Sequence, residues 1–293
     1  MGVSSQGVTG RVVAAVGGFS PYVSALVVWA RKLGLVESES NAIMERGTYL
    51  ERGIRDWYCA QTGAKVTEVG TLTHHVNPLV IATPDGIADH GDGTTRTLEI
   101  KAPTWRTYHA WGDEGTDNIP EHYIPQCTWE AAVTGYPLVD VAADLGDHLG
   151  IWTVKYDDEL FHQLLEIAEK FWRDYVVTRT APPATGLARE AEMLKKLFPA
   201  STCAEYVEAD NDACKLVEDY RSALDKLKEA ERFADKYKNM LRQLIGDKSG
   251  IRGEFGRVDF RSNKPSRVVD WESVARAAGA TPGASGAAPV GPA

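Results

Sequence analysis

The sequence predicts an α/β protein with a small mixed sheet flanked by helices, and three observations support this fold class. Helical periodicity dominates residues 22–61, and short β-rich runs separated by turn residues occupy 66–101. Helical patterns return at 122–134 and 157–176. The order helix, strands, helix, strand, helix is typical of an α/β domain, because helices then cover a sheet built from neighbouring strands.

Two helices precede the strands. Residues 22–35 follow Ser20-Pro21, a helix-start signal, and their helix is expected to end at Gly34. A second helix is predicted over 41–61, with Gly63 as its stop signal.

Four β-rich runs follow, at 66–72, 79–83, 86–90 and 95–101. Asp92-Gly93 is a strong hairpin signal, because these residues readily adopt the positive φ that a tight turn requires. The strand at 86–90 is therefore expected to fold back beside the strand at 95–101.

The C-terminal part of the chain has a different sequence pattern. Residues 211–246 place apolar groups three and four apart, which predicts a long amphipathic helix or half of a coiled coil. Residues 254–271 alternate as a terminal hairpin would. The predicted organisation is a core over 1–178, a linker over 179–186, a helical extension with its hairpin over 187–273 and a disordered tail over 274–293.

Composition describes an ordinary globular protein. Of the 293 residues, 43% are hydrophobic and 25% are charged, and no apolar run approaches the length of a membrane span. No export signal is recognisable, so we expect a cytoplasmic protein without a membrane partner. The net charge of -9 argues against a protein that coats polyanions, and any contact with DNA must depend on locally basic residues.

The most informative segment is 81–103. In its strand, Leu98 and Ile100 should point into the core, while Glu99 and Lys101 share the opposite face with Cα atoms roughly 6–7 Å apart. Asp85 begins the preceding strand. The hairpin should therefore bring two carboxylates and an ammonium together at one sheet edge.

This combination predicts phosphodiester hydrolysis. Carboxylates are the hard ligands that Mg²⁺ prefers, and a nearby lysine can orient the nucleophile or stabilise transition-state charge. A strand Glu-x-Lys alone is usually a solvated face, and an Asp-Gly after proline is usually a turn. Asp85 and Glu99, separated by thirteen residues and followed by Lys101 on apolar strands, together predict a PD-(D/E)xK-type nuclease with a restriction-endonuclease-like core.

Two helices offer supporting residues. Glu51 lies in the second predicted helix, where an isolated glutamate is typical of a solvated face. Tyr123, Gln126 and Glu130 are spaced three and four residues apart, so they share one stripe of the helix at 122–134. That stripe fits either ordinary cap and surface positions or a contribution to the site.

Several motifs in this order resemble one family. GTYLERG, IATPDGI, LEIKAP and EHYIPQCTWEAAVTG, together with FSPYVSALVVWARKLGL, resemble the YqaJ-type viral recombinase family, which includes lambda exonuclease. The resemblance covers about residues 7–178. It implies an exonuclease that degrades one strand of linear double-stranded DNA from the 5′ end and leaves a 3′ single strand for phage-type recombination.

The resemblance also implies roles for individual residues. Glu51, Asp85, Glu99 and the carbonyl of Ile100 would bind two divalent ions, Mg²⁺ or alternatively Mn²⁺. Lys101 would act at the attacking water. Tyr123 and Gln126 would support the site or the scissile phosphate, and Thr83 would lie near the terminal phosphate.

Partners follow from the same resemblance, with one departure. Family members form toroidal trimers around DNA and leave the 3′ single strand for an annealing partner of the RecT or Beta type. The family often uses an arginine and a serine for the 5′ phosphate, whereas GVTGR places Arg11 where the serine is expected. Either Arg11 replaces that pair or recognition of the DNA end differs.

Other readings compete with this one. A structure-specific endonuclease or a Cas4-like or AddB-like nuclease shares the fold, but the scattered cysteines argue against the iron–sulfur cluster usual in the latter two. A non-catalytic DNA-binding scaffold on a lapsed nuclease fold finds support only in the long C-terminal helix. That extension is expected to be an intramolecular helical hairpin or an arm for oligomerisation or partner binding.

Overall fold

The computed structural model describes residues 7–37, 40–199 and 206–260. The chain divides into two compact units, Met1–Ala204 and Glu205–Ala293. The end of the predicted hairpin beyond residue 260 and the predicted tail lie outside the described residues.

The first unit contains a five-stranded mixed sheet flanked by helices. Its strands are β1 (Lys65–Thr67), β2 (Leu72–Thr73), β3 (Ile81–Ala82), β4 (Gly86–Asp89), β5 (Thr95–Lys101), β6 (Leu138–Asp144) and β7 (Leu149–Lys155). The main sheet has the order β1-β4-β5-β6-β7, and β2 pairs separately with β3. Only the β5–β6 pair of the main sheet is parallel.

Six α-helices lie within the described residues of this unit. They are α1 (Gly10–Val16), α2 (Ala25–Lys32), α3 (Ala42–Thr62), α4 (Ile124–Thr134), α5 (Asp158–Phe171) and α6 (Ala188–Leu197). Short 3₁₀ turns span Trp105–Ala110 and Glu121–Tyr123, and a π-helical turn, Trp172–Val177, extends α5. The predicted fold class, a mixed sheet flanked by helices, is confirmed.

The hairpin predicted from Asp92-Gly93 is present. Strand β4 pairs antiparallel with β5, with Gly86 opposite Leu98. Gly91 and Gly93 have φ values of 74° and 89°, a region that favours glycine because it has no Cβ atom. The turn therefore fixes the register that brings Asp85 beside the end of β5.

Strand β5 lies in the middle of the sheet, which corrects the expectation of a site at a sheet edge. Its alternation is as predicted: Leu98 and Ile100 pack with Ile54 and Tyr58 of α3 in one core cluster. The opposite face is covered as well, because α4 packs over it. Glu99 is therefore fully buried rather than exposed at an edge.

Helix α6 packs against the first unit, although its residues were expected to begin the C-terminal extension. Met193 is buried in one cluster with Leu26 and Trp29 of α2. The Ser24 hydroxyl donates a hydrogen bond of 2.6 Å to the buried carboxylate of Glu190. Residues 188–197 are thus part of the core of this unit.

The second unit contains α7 (Asn211–Ile245) and the hairpin β8 (Gly250–Gly253) and β9 (Gly256–Asp259). The predicted long helix is confirmed. The hairpin begins four residues before the predicted range of 254–271. Residues 254–255, predicted to begin a strand, instead form its turn. No helix within the described ranges combines the length and apolarity that a membrane crossing needs.

Candidate active site

Glu99 is the centre of a buried polar cluster. Its Oε1 atom accepts hydrogen bonds from the Lys101 ammonium, from Gln126 Nε2 at 2.6 Å and from Arg11 Nη2 at 3.3 Å. The Glu99 side chain is only 1% exposed, and its second carboxylate oxygen, Oε2, has no hydrogen-bond partner. One carboxylate thus holds two cations and still keeps an oxygen available for a further positive group.

Asp85 reaches the cluster from the loop before β4. Its Oδ2 atom accepts a hydrogen bond of 2.7 Å from the backbone amide of Ile100. Because β4 begins only at Gly86, the Asp85 side chain takes the place of a strand partner for that amide. The hairpin register therefore fixes the carboxylate beside the end of β5.

Helix α4 supplies the third side of the cluster. Pro125 is tolerated in its first turn, where a missing amide proton costs no helical hydrogen bond, and Gly135 caps its end with a left-handed conformation. Gln126 Nε2 donates to Glu99 and also to Glu130 Oε1 at 2.8 Å. The Gln126 carbonyl accepts from the Lys101 ammonium at 3.1 Å. One amide group thus bridges two carboxylates and the lysine.

Helix α1, which the sequence did not predict, positions Arg11. Its N-cap is Thr9, whose hydroxyl accepts a hydrogen bond from the backbone amide of Val12. A Cβ atom at Gly10 would lie 2.8 Å from the Cα atom of Gln126, so only glycine permits this close approach of α1 to α4. The next residue, Arg11, then reaches Glu99 while 69% of its side chain stays exposed.

The carboxylates influence one another's ionisation. Burial, reinforced by the charge of Glu99, raises the pKa of Asp85 from 3.8 to about 7. Burial and Glu99 also hold the pKa of Glu130 well above its usual range. Burial opposes ionisation of Glu99 itself, but the attraction of Lys101 and Arg11 outweighs it, so the pKa of Glu99 lies below its usual value. Of the three carboxylates, Glu99 is therefore the one whose ionised form its surroundings favour most.

Tyr123 lies against the lysine. The Lys101 ammonium is 4.5 Å from the centroid of the Tyr123 ring, a cation–π contact. The His122 ring lies 4.0 Å from the Tyr123 ring, centroid to centroid, and the exposed Tyr22 makes an edge contact with His122. Lys101 is thus held from three directions, by a carboxylate, an amide and an aromatic ring.

Glu51 and Thr83 line the mouth of the site without joining the hydrogen-bonded cluster. Both border an open cavity of about 290 Å³ together with Arg11 and Asp85. The Glu51 carboxylate accepts a hydrogen bond of 2.9 Å from Arg55, one turn along α3. The Thr83 hydroxyl pairs with another threonine hydroxyl, that of Thr71, at 2.9 Å.

The donor set suits a hard cation. Among the described residues, no three His, Cys, Asp or Glu side chains are arranged around one point as ligands of a metal ion. Two buried carboxylate oxygens nevertheless lack a partner, Glu99 Oε2 and Glu130 Oε2. Buried carboxyl oxygens without a hydrogen-bond donor are costly, and carboxylate oxygens are the ligands that Mg²⁺ prefers.

The sequence places Glu130 on the same helical stripe as Tyr123 and Gln126, but its pattern alone assigns Glu130 no role. Its carboxylate is 3% exposed and is bridged to Glu99 through Gln126. The signal was present, since Glu130 follows Gln126 by four residues on one helical stripe. No comparable signal identifies Gly10, because its importance depends on the distance between α1 and α4.

Part of the chain is similar to known proteins. Residues 2–137 match the model of the YqaJ-like viral recombinase domain. An uncharacterized protein of Acanthamoeba polyphaga mimivirus is 27% identical over 138 residues, which cover 44% of this chain and 25% of that relative. The chain thus spans about a quarter of the length of this curated relative.

Two crystal structures of LHK-Exo are also similar. The alkaline exonuclease LHK-Exo from Laribacter hongkongensis is 26% identical, with a TM-score of 0.47 over 60% of this chain and 90% of that chain. Its complex with dAMP is 24% identical, with a TM-score of 0.48 over 66% of this chain and 94% of that chain.

The matched segment contains α1, the β4–β5 hairpin and α4, the elements that carry Arg11, Asp85, Glu99, Lys101 and Gln126. Over residues 2–137 this chain is therefore similar to the YqaJ-like viral recombinase domain.

Proposed function

We propose that this protein is a metal-dependent exonuclease that degrades one strand of linear double-stranded DNA from the 5′ end. The product is a duplex with a 3′ single-stranded overhang, the substrate for phage-type homologous recombination. The family match over residues 2–137 supports this class of function. The buried cluster of Asp85, Glu99 and Lys101 supports the hydrolytic chemistry.

The observation that carries the proposal is the contact between Lys101 and Glu99. An ammonium that is 9% exposed is stable only beside compensating charge and acceptors, which Glu99 and Gln126 provide. Both partners lie two residues apart on one face of β5, and two of their hydrogen-bond partners, Arg11 and Gln126, line an open cavity. A structural ion pair has no need of further buried carboxylates such as Glu130 nearby, whereas a hydrolytic site does.

We assign divalent-ion binding to Glu51, Asp85, Glu99 and the Ile100 carbonyl, with Glu130 as an additional candidate. The Leu98 carbonyl accepts a hydrogen bond from the amide of Asp85, and alternate carbonyls of a strand point to the same side. The Ile100 carbonyl therefore faces the side on which Asp85 lies. When bound, two Mg²⁺ ions (or Mn²⁺) would lower the pKa of a water molecule and neutralise charge on the phosphate.

The protein's own groups have distinct tasks in this proposal. The Lys101 ammonium, held by Gln126 and Tyr123, orients the attacking water and stabilises negative charge on the phosphoryl oxygens. Gln126 fixes the separation of Glu99 and Glu130 through its two amide hydrogen bonds. Because the cluster is buried on the protein side, these groups need little reorganisation when the substrate binds.

The direction of degradation depends on how the enzyme recognises the DNA end, and we place this recognition at the mouth of the cavity. Arg11 combines a largely exposed guanidinium with a contact to Glu99, so it can bind a terminal phosphate while remaining next to the hydrolytic groups. Thr83 borders the same cavity and offers a hydroxyl to the same phosphate. We assign 5′-phosphate recognition to these two residues.

The biological setting completes the proposal. The 3′ overhang would be passed to a single-strand annealing protein of the RecT or Beta type in the host cytoplasm. A homo-oligomer that encloses the duplex, a trimer by resemblance, would keep the enzyme on its substrate despite the net charge of -9.

One assay tests the central claim. Purified protein is incubated with Mg²⁺ and either linear duplex or covalently closed circular duplex of the same sequence, with each strand end-labelled in turn. We expect loss of the linear DNA only, with the label at the 5′ end released first. Equal degradation of the circle would show an endonuclease instead, and release of the 3′ label first would reverse the polarity.

A further inference from the structure

Helix α7 presents an apolar face that no other described residue of its own unit covers. The helix spans 35 residues, and nine of its large apolar side chains are between 37% and 71% exposed. Near its C-terminal end, Tyr237, Met240 and Leu244 border an open apolar cavity. Exposed apolar area of this extent, arranged as one continuous stripe, is typical of an interaction surface.

The spacing of this stripe indicates what kind of partner fits it. From Ala213 to Leu244, ten apolar residues follow one another at intervals of three or four, on average about 3.4 residues. This period is shorter than the 3.6 residues of a helical turn, so the stripe winds around the helix with a left-handed sense. Only another helix that supercoils with α7 can follow the stripe over its whole length of about 52 Å.

The stripe is also symmetric about its own centre. The midpoint between Lys228 and Glu229 nearly coincides with the middle of the helix. Every Ala, Val, Leu, Met, Phe and Tyr of α7 has another such residue at equal distance on the other side. Examples are the pairs Val217 and Met240, Tyr220 and Tyr237, and Leu224 and Phe233. Cys214 and Ile245 are the two apolar residues outside this symmetry. An antiparallel second copy would therefore match apolar with apolar residues from end to end.

Charge favours the antiparallel orientation over the parallel one. In the antiparallel pair, four charged pairs of opposite sign lie at the same height, among them Asp219 with Lys238 and Lys226 with Glu231 of the second copy. Two pairs have like charges, Lys215 with Arg242 and Arg221 with Lys236. A parallel pair in register would set every charge at the height of an identical one, which is unfavourable.

A second copy of α7 also suits the stripe better than the remainder of this chain does. The C-terminal segment 261–293 contains five large apolar residues, Val268, Val269, Trp271, Val274 and Val290. Nine large apolar side chains are exposed on α7. The other helices of the described chain are at most 21 residues long, too short to cover 35.

We propose that α7 is a self-association surface that pairs with α7 of a second copy as an antiparallel, left-handed supercoil centred between Lys228 and Glu229. This pairing goes beyond the proposed nuclease function and does not depend on it. It joins two protein molecules through their second units, whichever surfaces their first units use.

Crosslinking at two positions tests the orientation. In the full chain with Cys203→Ser and Cys214→Ser, single variants Ala230→Cys and Ala213→Cys are treated with a short bis-maleimide. In the antiparallel pair the two copies of position 230 are offset by about 4.5 Å along the axis, whereas those of position 213 are about 46 Å apart. We expect a covalent dimer from Ala230→Cys alone. Dimers from both variants would indicate a parallel pair, and dimers from neither would overturn the proposal.

Mass measurement tests the contribution of the apolar face. By light scattering at micromolar concentration, Leu224→Glu should halve the mass of the full-length protein, because it places a charge in the seam. Ser222→Glu, on the polar side of the same helix, is the matched control and should keep the wild-type mass. Circular dichroism checks that both variants retain their helix. An unchanged mass for a folded Leu224→Glu variant would contradict the proposal.

Discussion

Gln126 Nε2 lies 2.6 Å from Glu99 Oε1 and donates a hydrogen bond to it. The other two hydrogen bonds to this oxygen come from the cationic side chains of Lys101 and Arg11. The contact between Gln126 and Glu99 couples α4 to the central strand β5 at the point where the proposed chemistry takes place. It also positions Glu130, because the same amide nitrogen donates to both carboxylates.

Replacing Lys101 with alanine should abolish cleavage without unfolding the protein. Glu99 keeps its hydrogen bonds to Arg11 and Gln126, so the buried carboxylate is not left without partners. We expect the rate of DNA cleavage to fall by a factor on the order of 10³. Lys170→Ala, at an exposed position of α5, is the control. The assignment is refuted if a folded Lys101→Ala protein cleaves at the wild-type rate.

Glu130→Gln should weaken metal binding while making the metal-free protein more stable. The variant removes a buried carboxylate whose second oxygen has no partner, and it keeps the shape of the side chain. Thermal unfolding with and without MgCl₂ measures both effects. We expect a higher melting temperature without the ion and a smaller increase on its addition. A full wild-type increase would exclude Glu130 from the ion site.

Asp85 should make the metal-free protein less stable as pH rises. Its folded-state pKa of about 7 exceeds the ordinary value of 3.8, so between these values the folded protein holds a proton that the unfolded chain has lost. The contribution to the free energy of unfolding therefore decreases from about pH 4 and is fully lost above pH 7. Asp85→Asn should flatten this part of the profile in denaturant titrations. An identical pH profile for variant and wild type would contradict the shift.

Gly10→Ala should destabilise the protein and reduce activity together. The added Cβ atom meets the backbone of Gln126 at 2.8 Å, which forces α1 away from α4 and moves Arg11. Overpacking of this kind typically costs about 1–3 kcal/mol. Gly53→Ala is the matched control in α3, where nothing lies within 4 Å, and it should stabilise by about 0.8–1 kcal/mol. Equal stability of the two variants would argue against the close approach of the helices.

Arg11→Ala should remove the preference for a phosphorylated end. With 5′-phosphorylated and 5′-hydroxyl duplexes, the wild-type enzyme should degrade the phosphorylated one at least tenfold faster, and the variant should degrade both at similar rates. Arg173→Ala, an exposed arginine paired with Asp174, serves as control. A variant that keeps the wild-type ratio would move 5′-phosphate recognition elsewhere.

The local features of the site could be predicted from the sequence. The Asp92-Gly93 turn and the alternation of residues 97–101 depend on contacts between near neighbours, and the structure has both. The spacing of Gln126 and Glu130 on one helical stripe was also visible. Each of these patterns is short in range, so the residues themselves encode it.

Other features depend on residues that are far apart in the chain. Helix α1 is only seven residues long, too short for a periodic signal, and it is stabilised by packing against α4. The same packing makes Gly10 indispensable and brings Arg11 to Glu99, 88 positions away. That β5 is a central strand, with Glu99 buried rather than at an edge, follows from the parallel addition of β6.

The sequence by itself determined which chemical groups this protein can use: two acids and a lysine on a hairpin, and a long helix with an apolar stripe. Only the tertiary structure decided how readily each carboxylate ionises, because burial and the positions of Lys101 and Arg11 shift the pKa values of Asp85, Glu99 and Glu130 in different directions. Electrostatic energies depend on distance and solvent exposure, and neither can be read from the order of residues.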